Sequence, residues 1–146
     1  MASVKPFCAV RPTRDKVHLV ASRSYVSYTR PQLRSKLFEN PYSFLHIIHP
    51  DMGAHKFHKA QGLQERFDLV KKKYHSFVHD EILIKDEKPS FYIYRQVRNG
   101  HPFTGIICAV SVDDYNDGKI KIHEQTLSKR EETFTAYRDI TDINAE

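Results

Sequence analysis

The chain has 146 residues, two cysteines and a formal net charge of +5, with 40% apolar and 28% charged residues. This length and composition predict one folded domain with a core of its own, and they exclude a disordered chain or a disulfide-rich scaffold. No apolar run reaches the roughly 18 residues of a membrane-spanning helix, so no membrane span is expected.

The first third of the chain predicts one strand and one helix. The apolar run Phe7–Val10 lies between two prolines, which fits a short strand and a loop. Thr29 then precedes an Arg-Pro pair and two leucines four residues apart, and this pattern predicts a capped helix over about residues 30–39. The helix is expected to end at Asn40, because a residue before proline avoids the helical region.

The middle third predicts a β-rich segment and then the longest helix. Ser43–His49 is a compact apolar run closed by a Pro-Asp pair, and it is interpreted as β-rich. From His55 onward, apolar residues recur at three- and four-residue spacing, which predicts an amphipathic helix reaching about Ile82. Gly62 weakens the first turns of this helix by about 1 kcal/mol.

The last third changes to a strand period. Two β-rich runs, SFYIYRQV and FTGIICAVSV, flank Asn99-Gly100, the strongest short signal for a hairpin. A turn at 113–118 leads to a predicted strand, KIKIHE. Ser128 and Glu131 then form a capping-box pattern that predicts a helix through about Asp142.

Together these elements predict an α/β protein of the α+β type. We expect a mixed, largely antiparallel sheet covered by the long helix and the C-terminal helix, in one domain over residues 1–146. The final residues stop in mid-pattern, which suggests a piece of a longer protein.

Cysteine and histidine placement argues against a structural metal. Cys8 and Cys108 lie among apolar neighbours without a CxxC partner, so they are interpreted as reduced, buried thiols. The nine histidines include pairs at short spacing, but no cysteine lies near them to complete a structural zinc site. With no secretory signal at the N-terminus, the expected location is the cytoplasm.

The acidic stretch DDYNDG has two interpretations. Asp113 and Asp114, with Asp117 nearby, are candidate ligands for a divalent cation, which prefers oxygen ligands. The same stretch is typical of an ordinary turn, since Asp, Asn and Gly accept unusual backbone angles. The turn is the favoured interpretation.

The stretch HEQT before SKREE is the strongest candidate for chemistry. A strand end followed by a helix start directs free amides and the helix dipole at a bound anion. His123 and Glu124 are the candidate proton-transfer pair. The candidate phosphate ligands are Thr126, Ser128, Lys129 and Arg130. A capping box formed by Ser128 and Glu131 is the alternative, because it would use some of the same amides.

Several segments together resemble one known family. They are VKPFCAVRPTRD, ENPYSFLHIIHPD, DEKPSFYIYRQV, TGIICAVSVDDYNDGKIKIHEQT and KREE. They are similar, in order, to the N-terminal part of a bacterial and archaeal family catalogued as domain of unknown function 1015. The resemblance implies a chain that continues further, with a later Asp-Gly-His-His-Arg motif reminiscent of ParB/sulfiredoxin-like proteins, some of which phosphorylate free serine.

The resemblance also bears on the candidate site. Many members read His-Glu-x-Thr-Arg-Pro-x-Lys-Glu here. This chain keeps His123, Glu124, Thr126 and Glu131, and it has Leu127 in place of Arg and Arg130 in place of Lys. Loss of that Arg removes a bidentate phosphate ligand. Ser128 replaces the Pro and can still start a helix.

Two functions are therefore expected to compete. The first is part of a small-molecule phosphotransferase that uses ATP or ADP with Mg and binds a nucleotide or phosphorylated metabolite. The second is a non-catalytic binding or regulatory module for protein or nucleic acid. Nucleic acid is not the expected partner, because the basic residues are spread along the chain and most aromatics occupy apolar periodic positions.

Overall fold

The computed structural model describes residues 1–50, 52, 62–121 and 128–144, the side chains of 128–130 excepted. The chain divides into two compact units. We call Met1–Arg11 with Lys85–Thr126 the hairpin unit, and Pro12–Ile84 with Leu127–Glu146 the helical unit. The sequence-based expectation of one domain over residues 1–146 stays a prediction.

The strands are short and antiparallel where their register is defined. The strands are β1 Val4–Lys5, β2 Val10–Pro12, β3 Leu83–Lys85, β4 Tyr92–Arg98, β5 His101–Ile107 and β6 Ala109–Val110. In the described part of the chain they form three separate pairs, β1 with β6, β2 with β3 and β4 with β5, and not one sheet. The α+β class is confirmed.

The predicted hairpin is present as β4 and β5. Tyr92 lies opposite Ile107 and Arg98 opposite His101, so the two strands pair along their whole length. Asn99 and Gly100 both have positive φ, 51° and 78°, as a type I′ turn requires. The prediction of a hairpin turn at Asn99-Gly100 is therefore confirmed, and this two-residue turn sets the register of the two strands.

The helical unit contains the longer helices. The helices of the chain are α1 Val17–Val20, α2 Arg30–Glu39, α3 Leu45–Ile48, α4 Leu63–His79, α5 Val112–Asn116 and α6 Ser128–Thr141, and a 3₁₀ turn covers Tyr25–Ser27. Of these, α5 belongs to the hairpin unit. The bounds of α2 match the prediction because Thr29 and Gln32 form a capping box at its start.

The hydrophobic core lies in the helical unit. Helices α2 and α3 contribute Leu33, Leu37 and Leu45, which pack as one cluster. Helix α4 buries Phe67, Val70 and Phe77. The Phe67 ring meets the Tyr137 ring of α6 edge to face, with centroids 5.3 Å apart. The apolar stripe predicted for the long helix thus packs on other helices.

The interpretation of Ser43–His49 as β-rich is wrong, because Leu45–Ile48 forms α3. A short apolar run does not separate strand from buried helix by its period, and packing decides between them. Here the Ser43 hydroxyl accepts a hydrogen bond from the Leu45 amide at 3.3 Å. The buried imidazole of His46 lies with Nε2 3.0 Å from the Asn40 carbonyl oxygen. These contacts hold a single helical turn over the leucines of α2.

The region around DDYNDG also differs from the prediction. Asp113 and Asp114 lie in the first turn of α5, whose N-cap is the Ser111 hydroxyl, and the turn follows it at Gly118, where φ is 69°. Residues 119–121 are not in a strand, because the amides of Lys119 and Ile120 both donate to the Asp114 carbonyl. The rest of the predicted strand lies outside the described residues.

The long helix begins at Leu63, and the earlier turns predicted from His55 lie outside the described residues. The C-terminal helix runs over Ser128–Thr141, close to the predicted bounds. The predicted capping contact of Ser128 stays a prediction, because the Ser128 side chain is not among those that the structure describes. Among the described residues, no helix is long and apolar enough to cross a membrane.

Candidate functional site

The residues predicted to carry chemistry fall largely outside the described part of the chain. His123, Glu124 and Thr126 lie in 122–127. Ser128, Lys129 and Arg130 form the first turn of α6, and their side chains are not described. Their roles in proton transfer and phosphate binding stay predictions. The backbone of residues 128–130 is helical, as predicted.

The candidate cation ligand Asp114 forms a hydrogen-bonded network inside the hairpin unit. Its Oδ2 accepts from the Ser3 amide at 2.7 Å, and its Oδ1 accepts from Lys119 Nζ at 2.7 Å. Lys119 Nζ also donates to Asp117 Oδ2 at 3.1 Å. The Asp114 amide lies 3.4 Å from the Ser111 hydroxyl oxygen. One carboxylate therefore joins the N-terminal segment to α5 and the turn after it.

The charges of this network stabilise one another. The Lys119 ammonium and then the Ser3 amide hold the pKa of Asp114 below its ordinary value. Asp114 and then Asp117 raise the pKa of Lys119. Both oxygens of Asp114 have donors, while Asp113 beside it is exposed. Among the described residues, no group of three or more His, Cys, Asp or Glu side chains could hold a metal ion. The divalent-cation role of Asp113 and Asp114 stays a prediction.

A second polar network fixes the base of the hairpin. The Tyr92 hydroxyl donates to Asp86 Oδ2 at 2.7 Å and accepts from the Ala9 amide at 2.9 Å. Arg11 Nε donates to Asp86 Oδ1 at 2.8 Å. The Phe7 ring packs on the Tyr92 ring with centroids 5.1 Å apart. These contacts hold the Tyr92 end of β4, and they leave the rest of the hairpin projecting.

The projecting part of the hairpin has two faces, because side chains alternate along a strand. The register places a first group of side chains together on what we call the aromatic face, Tyr94, Gln96, Arg98, His101 and Phe103. The opposite side, the aliphatic face, consists of Ile93, Arg95, Val97, Pro102, Thr104 and Ile106.

Both faces of the hairpin are exposed. On the aromatic face, Tyr94 and Phe103 are 55% and 54% exposed. On the aliphatic face, Ile93 and Ile106 are 78% and 69% exposed. A two-stranded hairpin without a covered face is marginally stable in water. Contiguous exposed apolar surface of this kind marks an interaction site.

Sequence reasoning assigned no function to the hairpin, since alternating apolar residues are usually buried. One feature of the sequence could have indicated a binding role for the hairpin. Residues 91–112 include no Asp or Glu, although the chain has 18 acidic residues. Arg95, Arg98 and His101 therefore have no acidic partner close in sequence. An acid-free, aromatic and exposed strand pair is suited to binding a partner that carries negative charge.

Both cysteines belong to the hairpin unit, and both are free thiols. Cys8 and Cys108 are partly buried, and they form no disulfide. Cys8 lies next to Phe7, whose backbone exchanges two hydrogen bonds with Ser90 at 2.9 and 3.2 Å. The thiols thus lie beside the base of the hairpin and not on its projecting faces.

The family comparison covers almost the entire chain. Residues 4–146 match the model of DUF1015, described as a protein of unknown function. The comparison with curated proteins gave no match. The comparison with solved structures gave none either. The match begins at β1 and includes both units and the candidate residues at 123–130. The chain therefore belongs to the DUF1015 family.

Proposed function

We propose that this chain is a binding module that presents the β4–β5 hairpin to a macromolecular partner. The proposal is carried by one observation. Every residue of β4 and β5 except Tyr92 is exposed, on both faces, although several of these side chains are large and apolar. An exposed apolar surface is stabilised by a partner that covers it.

Specific local structure defines both ends of the hairpin. The Asp86–Tyr92–Arg11 contacts fix its base, and a type I′ turn closes its tip. A preformed strand pair loses little conformational entropy on binding. The cytoplasm remains the proposed location, supported by the two free thiols.

Photo-crosslinking in cells tests this function without assuming the nature of the partner. A photoreactive residue replaces Gln96 on the aromatic face or Thr104 on the aliphatic face of the full chain. Lys72, exposed on α4 in the helical unit, is the matched control position. We expect a discrete crosslinked species from at least one hairpin position and not from position 72. Equal crosslinking at all three positions, or none at the hairpin, would overturn the proposal.

A second candidate function is the nucleotide- or phosphometabolite-dependent transferase suggested by the residues before α6. It is supported by the sequence pattern of this segment, in which His123, Glu124 and Thr126 precede Lys129 and Arg130, since such a pattern is typical of an anion site at a helix N-terminus. The test is thermal unfolding of the full chain with ATP or ADP and Mg. A rise in melting temperature that is lost in His123→Ala supports it. An unchanged melting temperature in the wild type removes it.

A further inference from the structure

The aromatic face combines flat rings with positive charge. Tyr94 and Phe103 lie diagonally across the two strands, since Tyr94 pairs with Gly105 and Gln96 with Phe103. The His101 ring contacts the Phe103 ring edge to face, with centroids 4.8 Å apart. Arg98 lies directly opposite His101 near the tip. Rings, an amide side chain and the Arg98 guanidinium thus share one side of the hairpin.

Open space above β5 makes the Tyr94 ring accessible. Gly105 lies opposite Tyr94, and a Cβ built on Gly105 would meet no atom within 4 Å. The glycine therefore leaves room for a flat group to lie against the neighbouring ring and over the strand backbone. A side chain at this position would occupy that space.

The charge pattern argues against a second copy of the chain as the occupant. Packing the aromatic face of one hairpin on that of another would bury Arg98 of each copy, and residues 91–112 provide no carboxylate to pair with it. Buried unpaired charges are costly. The favoured occupant brings negative charge of its own.

We infer that the aromatic face binds single-stranded nucleic acid. Bases stack on Tyr94 and Phe103, the Gln96 amide hydrogen-bonds base edges, and Arg98 with His101 meets the phosphates. Single strands fit because their base faces are accessible, whereas a duplex hides them. This inference rests on the proposed binding function and names its partner. It also differs from the expectation drawn from the sequence, which assumed that the aromatics would be buried.

Fluorescence anisotropy with labelled oligo(dT) and oligo(U) of about 16 nucleotides tests the inference on the full chain. We expect binding at low salt that weakens as salt rises. Tyr94→Ala and Phe103→Ala each reduce affinity about tenfold, because each removes one stacking platform. Arg98→Ala lowers the slope of log K against log salt by about 0.7, the value for one phosphate of a single strand. A third probe, oligo(dU), differs from oligo(U) in the 2′-hydroxyl alone, so unequal affinity for these two reports contact with that group and separates RNA from DNA as the source.

Matched variants exclude a loss of folding as the cause. Tyr94→Phe keeps the ring and retains affinity, while Leu63→Ala removes an exposed apolar side chain on α4, outside the hairpin, and leaves affinity unchanged. Unchanged amide NMR shifts of β1, β6 and α5, away from the substituted positions, confirm that the hairpin unit of each variant is folded.

Three results overturn the inference. The first is no binding of either oligonucleotide at low salt. The second is binding that Tyr94→Ala and Phe103→Ala do not weaken, which would show a nonspecific effect of the net charge. The third is tight binding of a labelled poly-glutamate peptide with the same sensitivity to Tyr94→Ala. That result would reject nucleic acid as the partner and leave the proposed binding function intact. An absence of crosslinks from positions 96 and 104 would reject both the inference and the proposed function.

Discussion

The two units of this chain hold their structure by different means. All the buried apolar side chains of the described residues belong to the helical unit, and Ile47, Leu45 and Phe77 have at most 1% of their surface exposed. In the described part of the hairpin unit, the one residue in the buried class is Asp114, a charged group. The helical unit is stabilised by apolar burial, and the hairpin unit by strand pairing and paired polar groups.

This difference has a consequence for function. Apolar burial contributes to stability in proportion to the area removed from water, and the helical unit already buries a core in this way, although Val26 and Phe38 stay exposed. The hairpin unit still exposes Ile93, Tyr94, Phe103 and Ile106. A partner that covers these side chains gains the burial that the isolated unit lacks. This difference is why the binding function is proposed for the hairpin unit.

The largest expected effect compares two phenylalanines. Phe77→Ala removes a fully buried ring and is expected to lower the free energy of unfolding by about 3–5 kcal/mol. Phe103→Ala changes an exposed ring and is expected to alter it by less than about 0.5 kcal/mol. Urea unfolding followed by circular dichroism measures both. A large loss for Phe103→Ala would show that the hairpin packs in a core of its own.

A smaller effect is expected from a change at the hairpin tip. Gly100 has φ 78°, and an alanine there costs about 1–2 kcal/mol because its Cβ clashes in the left-handed region. Hydrogen exchange should become faster in β4 and β5 and stay unchanged in α4. Gly105→Ala is the matched control, since nothing lies within 4 Å of an added Cβ at this position and its φ is not positive. Faster exchange in α4 as well would mean that the two units unfold together.

The smallest effect is a difference in acid sensitivity. In the hairpin unit, the pKa of Asp114 lies below 3.8, so the folded state binds this proton less readily than the unfolded state. The stabilisation is present above pH 3.8 and is lost as the pH falls through the folded pKa. In an NMR acid titration, Asp114→Asn should weaken the contacts around Ser3 at neutral pH and remove this acid step.

The helical unit should respond at higher pH. Burial, and then the Lys73 charge, lower the pKa of His46 below 6.5, while hydrogen bonds to the Asn40 and Leu37 carbonyls oppose the shift. The folded state therefore favours the neutral imidazole, and stability declines as the pH falls below 6.5. His46→Gln should flatten this decline. An acid step at the same pH in both units, unaffected by either substitution, would contradict this assignment.

Local signals in the sequence determined much of the secondary structure. Thr29 with Gln32 defined the start of α2, Asn99-Gly100 defined the turn and register of the hairpin, and the apolar period defined α4 beyond Leu63. These signals work because each depends on a few neighbouring residues, such as a cap, a turn residue or one helical face. The family was also recognisable from short motifs.

Tertiary structure decided the rest. Packing on Leu33 and Leu37 favoured a helical turn for Leu45–Ile48, a segment whose composition also suits a strand. Asp114 was a candidate metal ligand by composition, yet its oxygens accept from Ser3 and Lys119, residues that the sequence alone does not bring together. The alternating pattern of the hairpin predicted strands correctly but not their exposure, because burial depends on which element covers a strand. In this chain the described elements leave both faces of that hairpin uncovered.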